Sequence, residues 1–194
     1  MIIAVTDRRH SRLPFLEQID SIAKARPDML ILREKDLSDA EYKDLAEECR
    51  NICSRYNVPI CVNSFADVAN ELNIADIQLP MPLLRKYSCE CNKKKNLYVS
   101  IHSIEDLKEA IAMGAKSVIY GHIFETFCKP GIEPRGIDNL KEICDASSVP
   151  VLAIGGITKD NVKKVYGCGA SGICLMSSVM QTDDPRSVID SCRI

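Results

Sequence analysis

Residues 120–129 hold a concentration of side chains that can do chemistry. They follow an apolar run and carry an imidazole, a carboxylate, a hydroxyl, a thiol and an ammonium, on His122, Glu125, Thr126, Cys128 and Lys129. Enzymes of the α/β class keep their reactive groups just beyond the carboxyl ends of strands. A neutral imidazole near pH 7 can carry one proton between two carbon atoms, so His122 is the candidate catalytic residue. A purely structural histidine is the alternative.

The other two histidines carry weaker signals. His10 lies in the first loop, where a surface position is the simpler expectation. His102 follows the fifth predicted strand, so it could line a site or bond to the neighbouring backbone. The loop after His122 is punctuated by glycine and proline up to Gly136, which is typical either of a lid or of a solvated connector.

A second signal, for anion binding, lies near the end of the chain. Gly155 and Gly156 follow the seventh predicted strand, and Ser177 and Ser178 follow the eighth. Loops after the last two strands of a (β/α)8 barrel often bind phosphate, and backbone N–H groups at a helix start point towards an anion. These four residues therefore predict a joint phosphate site, although a glycine pair could also be only a tight turn.

Polar residues also close three earlier strands. Arg33 and Lys35 flank Glu34 and could hold a carboxylate or a second phosphate, unless Arg33 only pairs with Glu34. Asn63 and Ser100 could orient a substrate by hydrogen bonds, or could instead cap the helix that follows each of them.

The elements that would position these residues alternate regularly. Apolar runs typical of buried parallel strands occur at 2–6, 29–32, 59–62, 76–78, 97–101, 117–120, 151–154 and 172–175. Amphipathic stretches between them predict helices that begin at Ser38, Ser103, Thr158 and Asp184. The pattern predicts an α/β fold, a single (β/α)8 TIM barrel over residues 1–194 as one domain; a doubly wound open sheet is the competing architecture. Residues 80–96 are the least regular part, where we expect a short or distorted helix.

Composition excludes several classes of protein. A net charge of −2, with one basic run at 93–95, gives no support for nucleic-acid binding. No segment approaches the roughly eighteen apolar residues of a membrane span, and the N-terminus does not resemble a signal peptide, so we expect a cytoplasmic protein. The ten cysteines include the close pairs 49/53 and 89/91, which do not match zinc-ligand spacing, so no metal is expected.

The strand-end motifs together resemble the thiamine phosphate synthase superfamily, at residues 4–7, 32–35, 99–103, 120–126, 153–157 and 176–177. Synthases of that superfamily join a pyrimidine pyrophosphate to a thiazole phosphate with magnesium. They carry an Asn-Asp pair after the third strand and a Gly-Gln-x-Asp segment after the fourth. This chain has Asn63-Ser64 and residues 78–82 there, and both expected acids are missing, which removes the magnesium clamp.

The departures are similar to the thiazole tautomerase (TenI) branch, in residues 78–80 and in the segment 121–136. That resemblance implies an isomerase in which His122 moves a proton to aromatise a carboxylated thiazole phosphate. Gly155, Gly156, Ser177 and Ser178 would hold the phosphate, while Arg33, Lys35, Asn63, Ser100 and Lys129 would bind the carboxylate or orient the ring. No cofactor is implied, and superfamily analogy suggests a homodimer. The alternatives are a thiamine phosphate synthase with displaced metal ligands and a non-catalytic TenI-like ligand-binding or regulatory protein.

Overall fold

A computed structural model describes residues 1–86 and 95–193, and its strands form a closed barrel in the order β1 to β8. The strands are β1 Ile2–Val5, β2 Met29–Leu32, β3 Ile60–Asn63, β4 Asp76–Pro80, β5 Asn96–Ile101, β6 Ser117–Gly121, β7 Val151–Ile154 and β8 Gly172–Leu175. The predicted eight-stranded barrel is confirmed, and the open doubly wound sheet is excluded.

Helices alternate with these strands. Their bounds are α1 Phe15–Lys24, α2 Asp39–Ser54, α3 Ala66–Glu71, α4 Met81–Leu84, α5 Ile104–Ala112, α6 Gly136–Ala146, α7 Val162–Gly167, α8 Ser177–Met180 and α9 Pro185–Ser191, with a 3-10 turn at Arg8–His10. The chain divides into two compact units, Met1–Ile77 with Leu175–Ile194, and Gln78–Cys174. The expectation of a single domain stays a prediction.

The first unit contains β1, β2 and β3, which pair in parallel. Ile3 lies opposite Met29, and Leu30 lies opposite Ile60. Every residue of these strands is buried, which explains their uninterrupted apolar runs, because a parallel strand covered on both faces has no solvent side. Helices α1 and α2 of this unit pack against one another.

The second unit contains β5, β6, β7 and β8 as far as Cys174, again parallel and in register. Tyr120 of β6 lies opposite Ala153 of β7, and Gly121 lies opposite Ile154. Because parallel strands end at the same edge of a sheet, this register brings the residues after β6 beside those after β7. The positions of His122 and Gly155 follow from that pairing.

The predicted helix starts are confirmed at three of four places. Ser38 accepts a hydrogen bond from the backbone of Glu41, and the Glu41 carboxylate accepts one from the backbone of Ser38 at 2.9 Å. Ser103 and Asp184 also cap their helices through side-chain oxygens. Each cap satisfies N–H groups that have no partner within the helix.

The fourth prediction, a helix that begins at Thr158, is wrong. The helix α7 begins at Val162, four residues later. Between them the carboxamide oxygen of Asn161 accepts a hydrogen bond from the Thr158 backbone at 2.8 Å, which closes a turn before the helix can start.

The irregular stretch 80–96 holds the four-residue helix α4, as the expectation of a short helix requires. Residues 87–94, which include Cys89, Cys91 and most of the basic run, lie outside the described residues. The cysteines of the described part are all free thiols. Burial raises the pKa of Cys53 and of Cys174 to about 12, so both are small apolar core residues at neutral pH.

No helix within residues 1–86 and 95–193 has the length and apolar character needed to cross a membrane.

The cap of α2 gives a direct test of this local structure. Replacing Ser38 with alanine removes the side-chain oxygen that accepts the Glu41 N–H, and we expect a loss of about 1 kcal/mol in the free energy of unfolding. Urea denaturation measures it. Ser54→Ala, at the other end of the same helix, is the matched control and should change stability by less; equal losses in both variants would contradict the cap.

Candidate active site

His122 is the buried polar residue at the carboxyl end of β6. Only 4 % of its surface is exposed, and its Nε2 atom lies 3.1 Å from the carbonyl oxygen of Ile132. The peptide bond from Gly121 to His122 is cis. A carbonyl oxygen can only accept a hydrogen bond, so Nε2 carries a proton. In a neutral ring the lone pair therefore lies on Nδ1, which is the nitrogen that could act as a base.

Two glycines allow the close approach of backbone on which this position depends. A Cβ atom on Gly121 would overlap the carbonyl oxygen of Ile154, and a Cβ atom on Gly155 would overlap the Cβ atom of His122. Gly155 also has a φ of +102°, which other residues rarely adopt. The chain at His122 thus lies directly against the turn after β7.

Backbone hydrogen bonds join the same two turns. Ile123 donates to the carbonyl of Ile154 at 3.0 Å, and Phe124 donates to that of Gly155 at 3.1 Å. Gly156 continues the contact, since a Cβ atom there would lie 2.8 Å from the Cβ atom of Phe124. The structure thus brings the predicted base and the predicted glycine cradle together, while the phosphate role of the glycines stays a prediction.

The loop after Phe124 is mostly exposed. Its Glu125 and Lys129 side chains face solvent, and Phe127 is 90 % exposed. Thr126 holds the loop locally, because its carbonyl accepts the Lys129 N–H at 3.1 Å. Within the described part of the chain, neither Glu125 nor Cys128 hydrogen-bonds His122 through its side chain. These contacts do not distinguish a lid from a connector.

Arg135 ends this loop and was given no role in the sequence analysis. Its Nε atom donates to the carbonyl of Gly121 at 3.0 Å, and its Nη1 atom donates to the carbonyl of His102 at 2.8 Å. The pKa of His102 is lowered, first by desolvation and then by the positive charges of Arg135 and Lys129. The backbone of His102 is held as well, since its N–H donates to the Asp106 carboxylate at 2.9 Å.

Ser100 is paired rather than a helix cap. The carboxamide of Gln78, which is 5 % exposed, donates to the Ser100 hydroxyl at 2.7 Å. The cap of α5 is Ser103 instead. Whether Ser100 orients a substrate stays a prediction.

In the first unit, the charged residues after β2 are Arg33, Glu34 and Lys35, and Arg33 and Glu34 have different partners. Glu34 is 2 % exposed and accepts hydrogen bonds from the Thr6 hydroxyl at 2.6 Å and from the Arg8 backbone at 3.1 Å. Arg33 lies 3.7 Å from the Asp7 carboxylate, so the alternative pairing of Arg33 with Glu34 is wrong. Lys35 is exposed to solvent.

Asn63 and Ser64 occupy the end of β3. Asn63 is buried, and its backbone N–H donates to the hydroxyl of Tyr42 at 3.1 Å. It does not cap α3, which begins at Ala66 with Phe65 in the cap position. Ser64 has a φ of +70°, so the backbone bends sharply where the synthases carry an acid.

The residues present do not fit the magnesium site that the synthases carry, because Ser64 stands after β3 and residues 78–82 contain no carboxylate. A synthase with displaced metal ligands would have to use Asp67 or Asp76. Asp67 is exposed on α3, and Asp76 begins β4 at the end opposite to the barrel's reactive edge.

Ser177 and Ser178 begin the short helix α8 of the first unit and are half-buried. A residue that the sequence did not single out holds this helix: the carboxamide of the buried Gln18 donates to the carbonyls of Val179 at 2.8 Å and Thr182 at 2.9 Å. Gln18 lies on the apolar face of α1, and its polar character there is the signal that could have found it. The joint phosphate site with Gly155 and Gly156 stays a prediction.

A parallel eight-stranded barrel with polar groups at the carboxyl ends of its strands defines an α/β-barrel enzyme. The chain belongs to the TMP-TENI family, described as thiamine monophosphate synthase, whose model matches residues 2–179.

Individual proteins agree with this assignment. The chain is 34 % identical to the thiamine-phosphate synthase of Clostridium tetani, over 82 % of this chain and 77 % of the relative. It is 31 % identical to that of Pyrococcus abyssi, over 99 % and 92 %. The structure of thiamine phosphate pyrophosphorylase from Pyrococcus furiosus superimposes with a TM-score of 0.84, at 27 % identity, and covers 99 % of this chain and 93 % of that one.

The contact between Gly155 and His122 can be tested against a matched glycine. Gly114 has a φ of +90° but open space where a Cβ atom would lie, so Gly114→Ala should cost only the backbone strain, about 1–2 kcal/mol. Gly155→Ala adds the overlap with His122, and we expect about 1–3 kcal/mol beyond that. Urea denaturation of both variants measures the difference, and equal losses would show that the turns do not meet.

Proposed function

We propose that this protein is a thiazole tautomerase of thiamine biosynthesis, an isomerase that aromatises a carboxylated thiazole phosphate. The observation that carries the proposal is the buried imidazole of His122. Its Nε2–H donates a hydrogen bond to the Ile132 carbonyl, which leaves Nδ1 as the nitrogen that can act as a base. Membership of the family supports the pathway, and the residues that match the TenI branch support the reaction.

The proposed reaction is a single proton shift. The Nδ1 atom of His122 removes the ring proton beside the carboxylate of the ylidene tautomer, and the imidazolium then returns that proton to the exocyclic carbon. No atom is gained or lost, and the gain of aromaticity drives the equilibrium. The Ile132 carbonyl accepts a hydrogen bond from Nε2–H throughout, so it holds both the neutral ring and the imidazolium in one orientation.

Other residues would bind the substrate. Gly155 and Gly156, with Ser177 and Ser178, would hold its phosphate through backbone N–H groups and hydroxyls. Arg33, Lys35 and Lys129 are candidates for its carboxylate, and Asn63 and Ser100 for orienting hydrogen bonds. The proposal needs no cofactor or metal, and it keeps the expectations of a cytoplasmic location, of no nucleic-acid or membrane partner, and of a homodimer.

Thiamine phosphate synthase is the second candidate, and the names of the related proteins favour it over the tautomerase. The available metal ligands argue against a synthase, because Ser64 and Pro80 stand in the segments where the synthases carry the acids that bind magnesium. Charge on a leaving pyrophosphate would then lack its metal partner. The names and the residues therefore point to different reactions within one family.

The proposal predicts the behaviour of His122→Gln. This variant should still bind thiazole phosphate but lose about 10²- to 10⁴-fold in the rate of tautomer conversion, because the proton carrier is gone. Calorimetry measures binding, and NMR follows the tautomer. The control is His10→Gln, which removes an imidazole from the first unit and should keep full activity. Full activity in His122→Gln would contradict the proposed tautomerase mechanism.

A second assay distinguishes the two enzymes and the non-catalytic alternative. The wild-type chain is mixed with pyrimidine pyrophosphate, thiazole phosphate and magnesium, and separately with the ylidene tautomer. We expect aromatic thiazole from the second mixture and no thiamine phosphate from the first. Thiamine phosphate as a product would establish the synthase, and binding of thiazole phosphate without either product would establish a ligand-binding protein.

A further inference from the structure

Arg135 contacts three consecutive residues at the end of β6. Its guanidinium carbon lies 5.5 Å from the ring centre of Tyr120, its Nε atom donates to the carbonyl of Gly121, and its backbone N–H donates to the carbonyl of His122 at 2.9 Å. Its Nη1 atom reaches the carbonyl of His102, after β5. One side chain therefore ties the ends of two neighbouring strands to the end of the loop.

The same loop end holds the His122 ring. The Ile132 carbonyl accepts the hydrogen bond from the ring and lies three residues before Arg135 in the chain. One residue after Arg135, the N–H of Gly136 donates to the carbonyl of Ile123 at 3.1 Å. Ile132 itself is 60 % exposed, so packing does little to fix it. Before it in the chain, the Ile132 N–H makes a long hydrogen bond to the Lys129 carbonyl at 3.4 Å, and after it come the shorter bonds of Arg135 and Gly136. Arg135 makes the most contacts of these anchors.

We propose that Arg135 is the positioning residue of His122: by clamping the carbonyls of Gly121 and His102, it keeps the Ile132 carbonyl on Nε2 and so keeps Nδ1 as the base. This inference rests on the proposed function. The planar guanidinium suits the task because its donors diverge at fixed angles and reach two carbonyls at once. A lysine ammonium is a point donor at the end of a flexible stem and holds no such fork.

The experiment compares Arg135→Met and Arg135→Lys with Arg85→Met. Arg85 is the matched control, because it also makes a two-pronged contact in the second unit, with Glu109 at 2.8 and 2.7 Å, but on the surface. Two quantities are measured in each variant. The first is kcat and KM for tautomer conversion, and the second is the ring tautomer of His122, from its nitrogen chemical shifts at about pH 8, where histidine is ordinarily neutral.

In the wild type we expect the Nε2–H tautomer alone. Arg135→Met should give a mixture of tautomers and a kcat about 10- to 100-fold lower, with KM within about threefold, because the base is misplaced while substrate binding is kept. Arg135→Lys should have a kcat and a tautomer ratio between those of the wild type and of Arg135→Met. Arg85→Met should match the wild type in both. An unchanged tautomer in Arg135→Met, or wild-type kcat in Arg135→Lys, would overturn the proposal.

The tautomer measurement separates this inference from the proposed function. If the wild type converts no tautomer but Arg135→Met still yields a mixture at His122, then the positioning role stands and the tautomerase fails. If the wild type is active and the ring of His122 is unaffected in the Arg135 variants, then the tautomerase stands and the positioning role fails. Where Arg135→Met does not fold, Arg135→Lys carries the same decision.

Discussion

The close approach between the chain at His122 and the turn at Gly155 is the contact on which the site depends. No side chain fits between them, so the turn after β7 must carry glycine and the chain after β6 must follow its surface. The hydrogen bonds from Ile123 and Phe124 to that turn then fix the direction in which the loop leaves. The loop returns at Ile132 and Arg135 to hold the imidazole from the other side.

Charge in the two units is handled by different means. In the first unit the buried carboxylate of Glu34 is satisfied by the Thr6 hydroxyl and by the backbone and guanidinium of Arg8. A buried charge is tolerated only with such partners. In the second unit the buried polar group at the end of β6 is the imidazole of His122, whose Nε2 atom lies 3.1 Å from the Ile132 carbonyl oxygen.

The gap between the family and the particular reaction has a physical cause. Identity of about a third over most of the chain reflects a barrel whose strands are buried over most of their length, and such a core accepts only apolar residues of suitable size. The reaction depends on a few side chains at the strand ends, which contribute little to overall identity. Ser64 and His122 are therefore more informative about the chemistry than the overall identity is.

The sequence by itself determined the eight strands, because a buried parallel strand must be a continuous apolar run, and it determined the caps at Ser38 and Ser103, because capping is local. The prediction of a helix start at Thr158 was wrong, because the Asn161 side chain accepts a hydrogen bond from the Thr158 backbone and closes a turn there. The sequence pointed to His122 as a base from residue type and position alone.

Only the tertiary structure decided which nitrogen of His122 carries the proton, which carboxylate lies beside Arg33, and what Arg135 contacts. Each of these depends on partners that are distant in the sequence, or on loop geometry that local patterns do not encode. Strand and helix signals are properties of neighbouring residues, whereas hydrogen-bond partners at a site are set by how the finished fold brings separate segments together.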